Sequence, residues 1–174
     1  MSGGWREDPE ALPPAPFRAS MAAVSPEGII GVDGGIPWDY PGDRKRLWRL
    51  TKDTTIILGR LTWDSLPRRP MRRRRNIVIS SRPVEGAESF GSLPEALAAC
   101  EGETVWFLGG ARIYEEAMDH ADFLDMTFVP DRVRLQPGQS AVRFPKIDET
   151  RWLAGPPHPD PDEPGVVRRR YVRR

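Results

Sequence analysis

The chain has 174 residues, 26 of them basic and 25 acidic, for a formal net charge of +1. A length in the range of roughly 100–200 residues points to one domain with a core large enough to fold unaided. No apolar run reaches the ~18–20 residues of a membrane helix, the start MSGGWREDPEALPPAP lacks the apolar stretch of a signal peptide, and Cys100 is the sole cysteine. A spanning helix, an internal disulfide and a thiolate metal cluster are thereby excluded, and cytoplasm is the expected compartment. Within the neutral total, only Lys45, Lys52 and Lys146 are lysines and the other 23 basic residues are arginines. Many of these stand in two blocks, 68–75 and 168–174, and arginine's planar fork suits phosphate and carboxylate.

In chain order, residues 1–16 are rich in proline, glycine and acids without periodicity and read as a disordered leader. The domain is expected over residues 17–174. Phe17 to Val24 reads as a strand and 25–28 as a turn, followed by a glycine-rich loop, Ile30-Gly31-Val32-Asp33-Gly34-Gly35-Ile36-Pro37-Trp38. Pro41 suits the first turn of a helix running to about Leu50, with Leu47 and Leu50 toward the core. Thr54 to Leu58 is a β-branched run ending at Gly59, hence a buried strand, and Arg60 to Leu66 fits a short helix. Asn76 to Ser81 is a strand of the same kind. Ser92 with Glu95 forms a capping box that opens a helix to about Glu101. Thr104 to Leu108 is a strand ending at Gly109-Gly110, a helix follows from Ala111 to Met118, and Phe123 to Val129 is strand again. Residues 156–164 read as loop, and Val166 to Val172 as a final strand.

Strands alternating with helices predict an α/β single domain. Its central twisted sheet is mostly parallel, with an antiparallel C-terminal edge and flanking helices. Right-handed crossovers gather the carboxyl ends of the strands on one edge, where a ligand belongs. Two junctions on that edge carry glycine, Leu58-Gly59-Arg60-Leu61-Thr62 and Leu108-Gly109-Gly110-Ala111-Arg112. Glycine admits a ligand close to the backbone, and the free N–H groups of a helix start favour an anion. Two such turns side by side suit a ligand with several phosphates. No G-x-G-x-x-G and no P-loop lysine is present. Asp43, in the first turn of the helix that follows the glycine loop, could bind a planar amidine-like ring through paired hydrogen bonds.

Ile36-Pro37-Trp38 through Asp43, Gly59 through Ser65, Asn76 through Arg82, and Gly109 through Tyr114 together resemble dihydrofolate reductase, in that family's order and near its spacing. The likeness extends over roughly Phe17 to Tyr171 and includes Ala22-Ala23, Ile30-Gly31, Thr127 and Phe144-Pro145. The resemblance implies NADPH as cofactor and dihydrofolate as substrate: hydride passes to pterin C6 and N5 gains a proton. It implies Asp43 as the carboxylate on the pterin, Thr127 as its hydroxyl partner, Trp38 beside an ordered water, and Tyr114 near the nicotinamide. Residues 31–38 correspond to a lid over the nicotinamide. Cofactor contacts are implied for Ala23, Ile30, Gly31, Gly59, Leu61, Thr62, Ser80, Leu108, Gly109, Gly110, Ala111, Arg112 and Ile113. Arg60, Ser81 and Arg82 fall on the adenosine 2′-phosphate, and Gly109-Gly110 corresponds to a cis peptide. Substrate contacts are implied for Val24, Arg44, Leu47, Leu66 and Leu108, and for Arg74 on the glutamate tail.

Several positions depart from the family. Leu47 stands for an aromatic residue and Arg44 for an apolar one. The 67–75 loop is one residue longer, so Arg73 or Arg75 could replace Arg74. Residues 138–145 lack the acidic residue that helps hold the lid closed. No metal is expected, and a monomer is.

Two rival readings remain. Reductases of riboflavin synthesis share this fold and act on a phosphorylated pyrimidine, but generally lack the Trp38-to-Asp43 pattern. A nucleic-acid-binding module would use the two arginine blocks, yet the near-zero net charge and the absence of aromatics between the arginines speak against it.

Overall fold

The computed structural model describes residues 4–174. It contains α1 (Gly4–Glu7), β1 (Arg18–Val24), β2 (Ile29–Val32), α2 (Pro41–Thr51), β3 (Thr55–Gly59), α3 (Arg60–Ser65), β4 (Arg75–Ile79) and β5 (Glu88–Phe90). There follow α4 (Leu93–Ala99), β6 (Val105–Phe107), α5 (Ala111–Ala117), β7 (Phe123–Phe128), β8 (Ala141–Arg143), β9 (Trp152–Ala154), β10 (His158–Pro159) and β11 (Val167–Arg173).

Nine strands form one sheet in the order β10-β11-β7-β1-β6-β3-β4-β5, with β9 also on β11. The run β7-β1-β6-β3-β4-β5 is parallel throughout, and β11 joins β7 antiparallel. The expected architecture is therefore present. Strands buried on both faces explain the continuous apolar runs, since helices cover the sheet from either side. Leu93, Ala96 and Leu97 of α4 join Ile113, Tyr114 and Ala117 of α5 in the core on one face. On the other, Leu50 of α2 and Trp63 of α3 pack with Ile56, Leu58, Trp106 and Phe123. Ser92 caps α4 as its spacing predicts, its Oγ accepting from the Glu95 N–H at 3.3 Å.

Three local expectations need correction. First, the disordered leader: residues 1–3 lie outside the described residues, but 4–16 follow a defined path against the sheet. Trp5 packs on Phe123 at 4.8 Å between ring centroids, the rings tilted by 49°. The Arg170 guanidinium donates to the carbonyls of Trp5, Asp8, Pro9 and Ala11, at 2.5 to 3.1 Å. A segment too polar to build its own core is thus ordered by lending main-chain acceptors to a buried cation. Gly155 is required at this crossing, because a Cβ there would lie 2.9 Å from the Arg170 carbonyl oxygen and 3.4 Å from that of Arg6. Second, β2 and β8 pair as a separate two-stranded ribbon that the glycine content of the loop obscured. Third, β10 lies inside the proline-rich 156–164 stretch, where Pro159 at the sheet margin has no ladder donor to lose.

The helix Pro41–Thr51 buries Leu50 as expected, while Leu47 is only partly covered. One turn before Leu50 on the same face lies Arg46, a buried cation. Period-two alternation explains its partner: Phe123, Asp125 and Thr127 of β7 face α2, and the register sets Val172, Arg170 and Arg168 of β11 opposite them. Asp125 is 1% exposed and takes both Arg46 nitrogens, at 2.8 and 2.7 Å, and Arg170 Nε at 2.9 Å. Burial alone would raise its pKa, but the two guanidiniums outweigh burial and hold the carboxyl below its ordinary value.

Candidate active site

The same register places Thr127 and Arg168 side by side under the first turn of α2, where Asp43 sits. Pro41 opens that helix and supplies the preset φ, and no N-cap side chain closes it. Asp43 Oδ1 accepts from Thr127 Oγ1 at 3.0 Å and from an Arg168 terminal nitrogen at 3.1 Å. The Asp43 side chain keeps 25% of its surface exposed, whereas Arg168 keeps 7%. Arg168 also donates to Asp160 Oδ2 at 2.5 Å. Asp160 accepts in turn from the N–H groups of Asp162 and Glu163, and Glu163 Oε2 accepts from the Gly42 N–H at 3.2 Å. The 156–164 loop therefore braces the start of α2 directly beside Asp43. Burial acts to raise the Asp160 pKa, but the Arg168 hydrogen bond and the two amides hold it below its usual value.

The glycine-rich segment leaves β2 and returns over residues 33–40, mostly exposed, with Trp38 half-buried. Asp33 latches it: its N–H donates to the Ser140 carbonyl at 3.0 Å, and its Oδ1 accepts from the Ser140 N–H at 2.9 Å. The acidic residue missing from 138–145 is thus matched by one on the lid itself. At the other end of the lid Tyr40 donates to Asp131, a bond that with burial pushes the phenol pKa up to about 12.

Two glycine turns lie at the carboxyl ends of β3 and β6. The Gly59 N–H donates to the Gly109 carbonyl at 2.7 Å, so the turns touch, and the Gly109–Gly110 bond is cis. Neither α3 nor α5 has a side-chain cap, which leaves their first main-chain N–H groups open to an anion. A Cβ on Gly110 would lie 3.3 Å from Thr62 Oγ1, and one on Gly109, at φ +107°, 3.0 Å from the Tyr114 ring. At Gly109 the positive φ and the Tyr114 ring select glycine, and at Gly110 a side chain would press on the Thr62 hydroxyl. Ala111 and Ile113 stand in the first turn of α5, Leu61 is exposed on α3, and Ser80, Ser81 and Arg82 follow β4. Arg60 and Arg112 pair only with Asp64 and Glu116 one turn on, and Arg112 is 90% exposed.

Tyr114 is buried, and its hydroxyl donates to the Met21 carbonyl at 2.7 Å. Burial first, then the Asp43 charge, push its pKa above the ordinary range. Ala23 and Val24 end β1 and Leu108 follows β6, so these positions share the carboxyl edge, while Ile30 and Gly31 lie in β2 of the separate ribbon, which contacts β1. Leu47 and Leu66 pack against the α2-side core. Arg44 turns outward to an ion pair with Asp39.

Among the three arginines left open for the substrate tail, geometry separates them. Arg73 is taken by Asp53, and Arg75 by Glu88 and Glu103. Arg74 alone turns to α2: its Nε donates to Thr51 Oγ1 at 3.1 Å and its guanidinium lies 4.5 Å from the Trp48 ring centre. Sequence reasoning missed Arg168, Asp160 and Glu163. The signal was available in Arg168 and Arg170, whose spacing of two puts both on one face of a strand.

An α/β sheet with two uncapped helix starts at glycine turns, and a carboxylate beside them under a lid, defines an enzyme that seats a phosphate-bearing cofactor next to a ring substrate. Comparison with known proteins narrows this class. The family model described as dihydrofolate reductase matches residues 19–162. The dihydrofolate reductase of Mycobacterium leprae (strain TN) is 45% identical over 137 residues, 75% of this chain and 81% of that protein. That of Neisseria gonorrhoeae is 40% identical over 136 residues, 76% and 81% of the two chains. Among solved structures, dihydrofolate reductase from Enterococcus faecalis complexed with NADP(H) and RAB-propyl superposes with a TM-score of 0.78 at 28% identity, covering 90% of this chain and 96% of that one. The chain belongs to the dihydrofolate reductase family.

Proposed function

We propose that the chain reduces 7,8-dihydrofolate to 5,6,7,8-tetrahydrofolate with NADPH. The observation that carries this reading is Asp43, a carboxylate one-quarter exposed, fixed through Oδ1 by Thr127 and placed where the lid, the sheet edge and α2 meet. It supports the reading against the pyrimidine reductases of the same fold, for which this pattern is not expected.

The cofactor's residues fit it. The accessible backbone at Gly59 and Gly110, the open N–H groups at Leu61, Thr62, Ala111, Arg112 and Ile113, and the Thr62 hydroxyl would hold the pyrophosphate. Arg60, Ser81 and Arg82 would take the 2′-phosphate, which favours NADPH over NADH. NADPH supplies the hydride when bound. The chain's own part is to bind and orient. Asp43 accepts the ring's 2-amino and N3 hydrogens, Thr127 fixes the carboxylate's angle, and Leu47, Leu66, Val24 and Leu108 give the ring an apolar wall. The lid with Trp38 excludes bulk water and leaves N5 to receive its proton from an ordered water near Asp43. Arg74 is the candidate for the tail carboxylate.

This reading includes a monomer that works in the cytoplasm on a small molecule without a metal. Among the described residues no helix is long and apolar enough to cross a membrane, and no group of three or more potential metal ligands occurs. The inward use of Arg168 and Arg170 weighs against a nucleic-acid role for the C-terminal block.

Asp43→Asn tests the reading. Loss of NADPH absorbance at 340 nm with dihydrofolate should slow by at least a hundredfold at neutral pH, with NADPH affinity within about threefold of wild type. Undiminished turnover would remove Asp43 from the ring site.

A further inference from the structure

Residues 4–16 lie ahead of the span matched by the family model, which begins at residue 19, so the dihydrofolate reductase likeness assigns them no task. They nevertheless form a short strap fastened at two places. At its first end Trp5 packs on Phe123, and the Trp5 carbonyl accepts from the buried Arg170 guanidinium. Farther along, the strap meets α2. The Pro9 carbonyl accepts from an Arg46 terminal nitrogen at 2.6 Å. One Glu10 oxygen lies 3.3 Å from Arg46 Nε, and the other accepts from Arg49 Nε at 3.1 Å. Arg46 and Arg49 stand three apart on one face of the helix, so a single carboxylate reaches both. Among the described residues Arg46 Nε has no hydrogen-bond partner, and Glu10 is the carboxylate that approaches it.

This grip matters because α2 is thinly anchored by apolar contact. Of its eleven residues it buries Arg46, Leu50 and Thr51. A helix with so narrow an apolar stripe depends on polar ties for its placement. Two such ties lie at its ends: Glu163 accepts from the Gly42 N–H at the start, and Arg74 donates to the Trp48 carbonyl and to Thr51 Oγ1 at the finish. The strap and Asp125 hold the middle.

We propose that residues 5–11 form an intramolecular clamp on α2 in which Glu10 is a positioning residue. It holds the middle of the helix to the sheet and so sets α2 for substrate binding, without touching substrate or cofactor. The inference rests on the reading that α2 carries the substrate side of the site. The two glycine turns that would seat the cofactor follow β3 and β6, away from the clamp, so NADPH binding is independent of it. Glu10 is 49% exposed, and solvent screening makes its effect moderate.

The test compares full-length Glu10→Ala and Trp5→Ala with wild type. Hydrogen exchange of the α2 amides, the KM for dihydrofolate and the NADPH dissociation constant are measured. Glu10→Ala takes the carboxylate off the helix. Trp5→Ala loosens the strap at the end that packs on Phe123, and reaches α2 only through the strap. Both should speed exchange across residues 46–51 at least about threefold and raise KM about two- to fivefold. NADPH affinity should stay within about twofold and exchange in β3 and β4 should not change. Glu10→Gln keeps an acceptor for both arginines and should recover at least about half of the change. Faster exchange in helix and sheet alike marks general loss of stability and overturns the clamp. So does an α2 indifferent to either alanine variant, an unchanged KM, or a KM that moves together with NADPH affinity. A wild-type chain that does not oxidise NADPH with dihydrofolate overturns the functional reading instead, and the exchange measurements then still decide whether the strap holds the helix.

Discussion

Asp125→Ala isolates the cost of the buried charge cluster. Wild-type Asp125 receives three charge-assisted hydrogen bonds, at 2.8, 2.7 and 2.9 Å, from guanidiniums only 2% and 3% exposed. Alanine removes the acceptor and leaves two cations facing each other in the core. Removing one partner of a buried pair typically costs about 3–5 kcal/mol, most of it the uncompensated charge left behind. For a chain of this size each kcal/mol moves Tm by about 2–4 °C, so the variant should melt roughly 6–20 °C below wild type. Replacing all three, as Arg46→Leu, Asp125→Leu and Arg170→Met, removes the unpaired charge and should cost less than the single change despite altering more atoms. Circular-dichroism melts and urea titrations read both. A single variant within about 1 kcal/mol of wild type, or a triple variant less stable than the single one, would refute the account. The triple variant should also lose its hold on residues 5–11, whose carbonyls Arg170 binds, and a protease should then clip there first.

Three further outcomes follow from the geometry. Arg60→Ala should weaken NADPH by at least about tenfold and NADH by less than twofold, measured by quenching of protein fluorescence; equal losses would move the 2′-phosphate elsewhere. Asp33→Ala removes one of the two latch hydrogen bonds, worth about 0.5–1.5 kcal/mol, and should lower steady-state turnover about two- to tenfold and speed proteolysis within residues 31–40. Unchanged turnover and cleavage would show the latch to be idle. Asp125 and Asp160 are both held below the ordinary carboxylate value, so their stability contribution is complete above about pH 4 and is lost as pH falls through their folded-state values. Tm should therefore be level from pH 5 to 7 and fall below about pH 4, less steeply in Asp125→Asn. A wild-type Tm that holds to pH 3 would contradict this.

The main elements were legible because their signals are local. β-branched runs ending in glycine gave β3 and β6, and the Ser92–Glu95 spacing gave the start of α4. The partners of Asp43 were half legible. Thr127 came with the family likeness, whereas Arg168 stood in a block whose charge looked like a solvated face. What hides such a residue is that burial of a cation depends on a carboxylate far away in sequence. Asp125 and Asp160 reveal their use only once the β7–β11 register is known. The leader was misread for a similar reason. Its composition forbids a core of its own, but composition says nothing of carbonyls accepting from a guanidinium some 160 positions on. The lid latch escaped because the carboxylate, Asp33, stands in the turn after β2 and not in the 138–145 segment where one was expected.

The bonds from Arg170 to residues 5–11 also order events in time. They join parts separated by 159 to 165 positions, so during synthesis the acceptors wait for their donor until β11 has been made. At about 5–20 residues per second that wait is roughly 10–30 s, and for about its last quarter β7, with Asp125, is made but still without β11. Until then the first residues lack these four hydrogen bonds and have only Phe123 under Trp5 and the Arg46 and Arg49 contacts to Pro9 and Glu10. Closure of the N-terminal segment is in this sense a report that β11 has been made and has paired, which a protease or an antibody against residues 5–11 could read directly.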